Sequence, residues 1–265
     1  MEWVWPAQPD QYSIYLLDSS TSPWSDFWLV ALGALVGAGA AFFLEAAHKM
    51  FQERRRRIAA GNLALLTMFR MWSEIYNYEK NIIRDAVLKK SALVPLWLRI
   101  SLLARTPADL HFNAADLVFM LRTSEPTRLA VTILQETRYH ELFHAVAVRN
   151  TVLTGVHENM AGKGVGVATD PTDKELIDSI GIPDIVKMRT LTLGVIESVY
   201  KNLVDMRTEY KGLRELLIRQ FGKKNVVAFA LEKEFPGELG IPIENWLIRL
   251  MYENNERPSG PPFRD

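Results

Sequence analysis

Residues 27 to 44 form a run of 18 positions holding only Phe, Trp, Leu, Val, Ala and Gly. As a helix rising about 1.5 Å per residue the run is about 27 Å long, close to the roughly 30 Å hydrocarbon core of a bilayer. A helix on the surface of a water-soluble domain needs a polar face, and this one has none on any side. The run therefore predicts a transmembrane helix over 27–44. It begins after 26 residues that carry Glu2, Asp10, Asp18 and Asp26 and neither Lys nor Arg. A secretory signal peptide has the opposite start, with a basic N-terminus ahead of a shorter apolar stretch, so the run reads as a retained anchor.

Orientation follows from the flanks. Trp24, Phe27 and Trp28 crowd one end, as amphipathic rings do at the headgroup level, while Lys49 and the run Arg54, Arg55, Arg56 and Arg57 follow the other. The basic end is expected in the cytosol. The chain is thus expected in the cell membrane, with the N-terminus outside and the C-terminal part cytoplasmic. Four arginines beside a bilayer also suit anionic lipid headgroups, at about 1 kcal/mol each. Within the run Gly33, Gly37 and Ala41 recur every fourth residue, a spacing that lets two helix backbones approach and predicts self-association in the membrane.

Composition narrows the function classes. Lys plus Arg and Asp plus Glu each number 31, so no net field draws the chain to nucleic acid, and no aromatic platform accompanies the arginine run. The absence of cysteine excludes disulfide scaffolds, thiolate metal sites and cysteine nucleophiles.

The remainder divides into an outer segment at 1–26, the span at 27–44, a cytosolic α-helical domain at 45–253 and a disordered Pro/Gly-rich tail at 254–265. The expected fold is all-α: the transmembrane helix continues into a hairpin or bundle of long antiparallel helices joined by short ones. From Glu45 to about Lys90 no proline interrupts the chain, and Leu65, Phe69, Trp72, Tyr76 and Ile83 share one helix face. Leu96–Leu103, between Pro95 and Pro107, reads as a short apolar helix, and Asn113 with Asp116 as the start of another. Ser124, Glu125 and Pro126 open a long helix reaching Asn150 or Met160. Ala161–Thr172 reads as a loop, and Asp184 after Pro183 starts a last long helix that ends at Gly222. In it Val195, Val199, Leu203, Met206, Tyr210, Leu213, Leu217 and Phe221 alternate steps of three and four, a coiled-coil-like seam. Val226–Leu231 reads as a short strand or extended contact, and Pro242–Tyr252 as a small final helix.

One motif carries chemistry. His140, Glu141 and His144 spell HExxH on the long helix; His at i and i+4 can share zinc while the Glu activates its bound water. Against that reading, Arg138 lies two residues before the first His, and the nearest later ligands, His157 and Glu158, lie about 20 Å further along an unbroken helix. The alternative is a pair of histidines on a packed or wetted face, with Glu136 one turn before His140. ExxH pairs at Glu45/His48 and Glu141/His144 lack the matched carboxylates of a di-iron bundle. Gly162, Gly164 and Gly166 around Lys163 do not match the P-loop or dinucleotide fingerprints. The reading is a membrane-anchored scaffold or adaptor without a committed catalytic residue, metal or cofactor, partnered by the bilayer, a second copy and an unidentified protein rather than nucleic acid. A zinc metallopeptidase using His140, Glu141 and His144 is the alternative.

Overall fold

The computed structural model describes residues 23–88, 94–103, 106–165 and 173–231. Most of the expected outer segment, the small helix at Pro242–Tyr252 and the tail at 254–265 lie outside the described residues. The fold is all-α, and no strand occurs among the described residues. The order is α1 (Pro23–Tyr78), a π-helical turn (Glu79–Arg84), α2 (Asp85–Leu88), α3 (Leu96–Arg99), α4 (Ala114–Leu117), a 3-10 turn (Val118–Arg122), α5 (Thr127–Gly162), α6 (Asp173–Ile180), α7 (Ile182–Phe221) and a final 3-10 turn (Lys223–Asn225).

The chain divides into two units, Met1–Arg54 and Arg55–Asp265. In the first, the described residues are the opening stretch of α1. It starts at Pro23, where a missing amide hydrogen costs nothing. Its apolar side chains have no protein cover: Trp28 is 59% exposed, Leu35 73% and Phe43 74%. Within the same unit, after the apolar run, an i,i+4 pair, Glu45 to Lys49 at 2.7 Å, lies on the surface.

In the second unit the rest of α1 packs with α5 and α7. Leu65, Trp72, Tyr76 and Ile83 of the expected stripe are buried. All eight residues of the α7 seam are buried too. At about 1.5–3 kcal/mol for each large apolar side chain taken from water, these two faces supply most of the drive for helix packing. Direction is legible from paired residues. Along α1 and into the π turn, Gly61, Trp72 and Glu79 meet Leu217, Leu203 and Tyr200 in turn, so α7 runs antiparallel to α1. Along α5, Arg128, Arg138 and Arg149 meet Glu209, Asp205 and Thr192, so α7 runs antiparallel to α5 as well. Glu74 and Tyr78 of α1 meet Tyr139 and Phe143, so α1 and α5 are parallel. The segment between them must cross the length of the bundle, and it carries the short helices.

Three details sharpen the sequence reading. The first helix gives way at Glu79 to a π turn, which buries the Glu79 carboxylate; Arg84 donates to it at 3.1 and 2.6 Å, and the Tyr200 hydroxyl donates to it at 2.9 Å. The fifth helix runs to Gly162, so Ala161 and Gly162 belong to it and not to a loop; it ends where Gly164 takes φ +72° and the Val165 amide returns to the Met160 carbonyl. The sixth helix was not anticipated; it buries Leu176 and Ile180, four residues apart, against Met160 and Met188.

After the final 3-10 turn, Val226–Leu231 forms an extended contact and no strand. The Asn62 side chain accepts the Val227 amide at 3.0 Å and donates to the Asn225 carbonyl at 2.9 Å, replacing a neighbouring strand. Phe229 stacks on Phe69 at 4.8 Å.

Candidate functional site

The stretch Phe27 to Leu44 lies in a helix long and apolar enough to cross a membrane, near the N-terminus and without protein burial. A Cβ built on Gly33 or Gly37 meets nothing within 4 Å in the single chain, so this face is open to a neighbour. The arginine run is divided in its contacts. Arg54, Arg55 and Arg56 are all exposed, and Arg56 also donates to the Asp116 carboxylate of α4 at 3.0 Å.

The richest polar cluster lies where the crossing segment meets α5. Glu136 presents one carboxylate oxygen to His111 Nδ1 at 2.7 Å and accepts the Phe112 amide with the other at 2.7 Å. His111 Nε2 faces Asp109 Oδ1, also at 2.7 Å. Carboxylates on both ring nitrogens, that of Glu136 foremost, hold the His111 imidazolium above the usual histidine range. The His140 ring stacks on His111 with centroids 4.8 Å apart and planes 25° apart, and its Nε2 lies 3.1 Å from the Leu110 carbonyl. Tyr139, one position earlier on α5, has its single hydroxyl proton shared between Glu74 Oε2 at 2.6 Å and the Ala108 carbonyl at 2.9 Å; Glu74 also accepts the Ala108 amide. The segment 108–112 is therefore clamped onto α5 and α1 through four side chains.

The HExxH residues divide across this surface. His140 is half-buried and belongs to the cluster, while Glu141 and His144 are exposed on α5. Ligand atoms of Asp109, His111 and His140 all lie within 4.8 Å of one another, a grouping that includes neither Glu141 nor His144. Sequence reasoning missed Asp109 and His111. Their only signal is an acid and a histidine two apart in a proline-bounded linker, and nothing local says that Glu136 and His140 wait beneath them.

Two further features lie deeper. Arg149 of α5 is fully buried, donating to the Trp97 and Ile100 carbonyls at 2.9 and 2.6 Å, to Thr192 Oγ1 at 3.2 Å and to Asn150 Oδ1 at 3.2 Å. Burial pushes its pKa down. Close by, the Tyr78 hydroxyl is buried with no hydrogen-bond partner, and burial pushes its pKa up against the field of Arg149. Tyr78 lines a cleft of about 400 Å³ together with Glu74, Asn77, Asn81, Leu103 and Phe143. That volume falls in the range of small-molecule sites.

The gathered polar groups can hold a cation at the surface of α5, and the uncovered apolar helix can enter a nonpolar medium. No protein-family model, no curated protein and no solved structure matches the chain.

Proposed function

We propose that the protein is a single-pass membrane-anchored scaffold or adaptor, held in the cell membrane by residues 27–44, with the helical part acting at the cytosolic surface. One observation carries this reading: an uncharged helical stretch whose side chains have no protein cover. Exposing that much contiguous apolar surface to water is far beyond what a soluble monomer tolerates, whereas lipid accepts it without cost. The asymmetry between an acidic, arginine-free start and the exposed Arg54 and Arg55 supports the orientation.

The partners follow from the same surfaces. The bilayer is the first. A second copy is the next, with Gly33, Gly37 and Ala41 as the contact face, since small residues let helix backbones approach where only van der Waals packing holds them together. Another protein recruited at the cytosolic face completes the adaptor role.

Membrane fractionation tests the anchor. The full chain should stay with membranes through alkaline carbonate and high salt and leave only with detergent. A chain that remains monodisperse in detergent-free buffer would contradict it. Gly37→Leu should reduce self-association of the span by about tenfold or more in a membrane two-hybrid assay; unchanged association removes the dimer face.

A further inference from the structure

We propose that Asp109, His111 and His140 form a binding site for a divalent transition-metal cation, zinc or one of its first-row neighbours, with Glu136 as the residue that positions His111. This goes beyond the anchor and adaptor reading and does not depend on it. It also differs from the HExxH motif, sharing only His140 with it.

The donor set is one carboxylate oxygen and two imidazole nitrogens, the mixture that borderline cations take. The three donor atoms lie within 4.8 Å of one another. Bonds of about 2.0–2.2 Å in a tetrahedron place donors about 3.3–3.5 Å apart, so side-chain rotation alone closes the site. The pair His111 Nε2 and Asp109 Oδ1, at 2.7 Å, must open slightly, and Asp109 has the freedom because its side chain is 85% exposed. His140 must turn about its Nε2 contact with the Leu110 carbonyl, leaving its stack on His111, to aim Nδ1 at the same point.

What separates this group from a chance meeting of polar side chains is the layer behind it. Histidines that ligate metals almost always give their other N–H to a carboxylate or a backbone carbonyl, which fixes the tautomer and the ring. Both histidines have such a partner. Glu136 holds His111 Nδ1 and is itself held by the Phe112 amide. The Leu110 carbonyl lies against His140 Nε2. In the bound form His111 therefore binds through Nε2 and His140 through Nδ1. Carboxylates against both nitrogens of His111 give the cluster a negative lining that suits a cation. Water fills the remaining position at this exposed edge.

The test is titration of the detergent-solubilised full chain, freed of metal, with Zn²⁺ by calorimetry and with Co²⁺ by visible absorption. One equivalent of each should bind, and the Co²⁺ complex should show the intense d–d bands of a tetrahedral N/O site. Asp109→Asn and His111→Ala should each abolish the stoichiometric step, and Glu136→Gln should weaken it by about 10–100-fold. His144→Ala should leave it unchanged, because that residue belongs only to the HExxH reading. Far-UV circular dichroism checks the fold of each variant; Asp109 is exposed enough that its amide serves as the folded control. No binding at one equivalent, binding that survives both Asp109→Asn and His111→Ala, or binding lost in His144→Ala would each overturn the assignment.

Discussion

Arg149 is the residue whose environment departs most from expectation. A guanidinium with no exposed surface normally faces a carboxylate, and this one is held by two carbonyls, a hydroxyl and an amide. Through the Trp97 and Ile100 carbonyls it ties α3 and its C-cap to α5. Arg149→Ala should cost about 3 kcal/mol, from the cavity and from two carbonyls left without donors. Urea unfolding followed by tryptophan emission measures the loss. A little over two turns further along α5, His157 feels the same charge. Burial first and Arg149 second hold its pKa below the ordinary 6.5. The folded state thus binds this proton less readily than the unfolded chain does, so stability is full above about pH 6.5 and declines as pH falls through that value. A variant His157→Gln should flatten this part of the stability profile between pH 7 and 5; an unaltered slope would mean that other groups set it.

At the scale of elements, the contact between α1 and α7 depends on Gly61. A Cβ there would lie 2.7 Å from Leu217 Cδ2, and Leu217 is itself buried. Gly61→Val should destabilise the bundle by about 1–3 kcal/mol through overpacking, read as a lowered midpoint in the same unfolding assay. Sequence alone marks Gly61 only as a weak helix breaker, since the close approach is made by a residue more than 150 positions away. The α7 seam was legible for the opposite reason: its signal is periodic and local, from Val195 to Phe221, and Gly222 with φ +87° stops the helix where a residue without a Cβ is needed. The π turn at Glu79 left no such trace. At it the buried Glu79 carboxylate meets both Arg84 and Tyr200, and only the tertiary fold brings Tyr200 there. The sixth helix had a weak local pattern, Leu176 and Ile180, that the glycine-rich segment before it overshadowed. Lys163, which the same glycines made a candidate for phosphate, donates instead to the Asp178 carbonyl at 2.8 Å. The cluster at His111 was hidden for a related reason, because the parallel course of α1 and α5 forces a long crossing segment whose register on α5 no periodicity encodes.

At the scale of the whole molecule, one question governs the rest: whether residues 27–44 lie in lipid with their basic flank inside the cell. If they do, the helical part is confined to a membrane surface, pairing through Gly33 and Gly37 becomes a two-dimensional association, and the exposed face around His111 is presented to cytosolic metals and proteins. The chain has no cysteine, so single cysteines report position without background. The most direct measurement places Ser20→Cys and Gln52→Cys in separate full-length chains and labels intact cells with a membrane-impermeant maleimide. The cysteine at position 20 should label in intact cells and that at 52 only after permeabilisation. Labelling of position 52 in intact cells, or failure to label position 20 there, would contradict the placement.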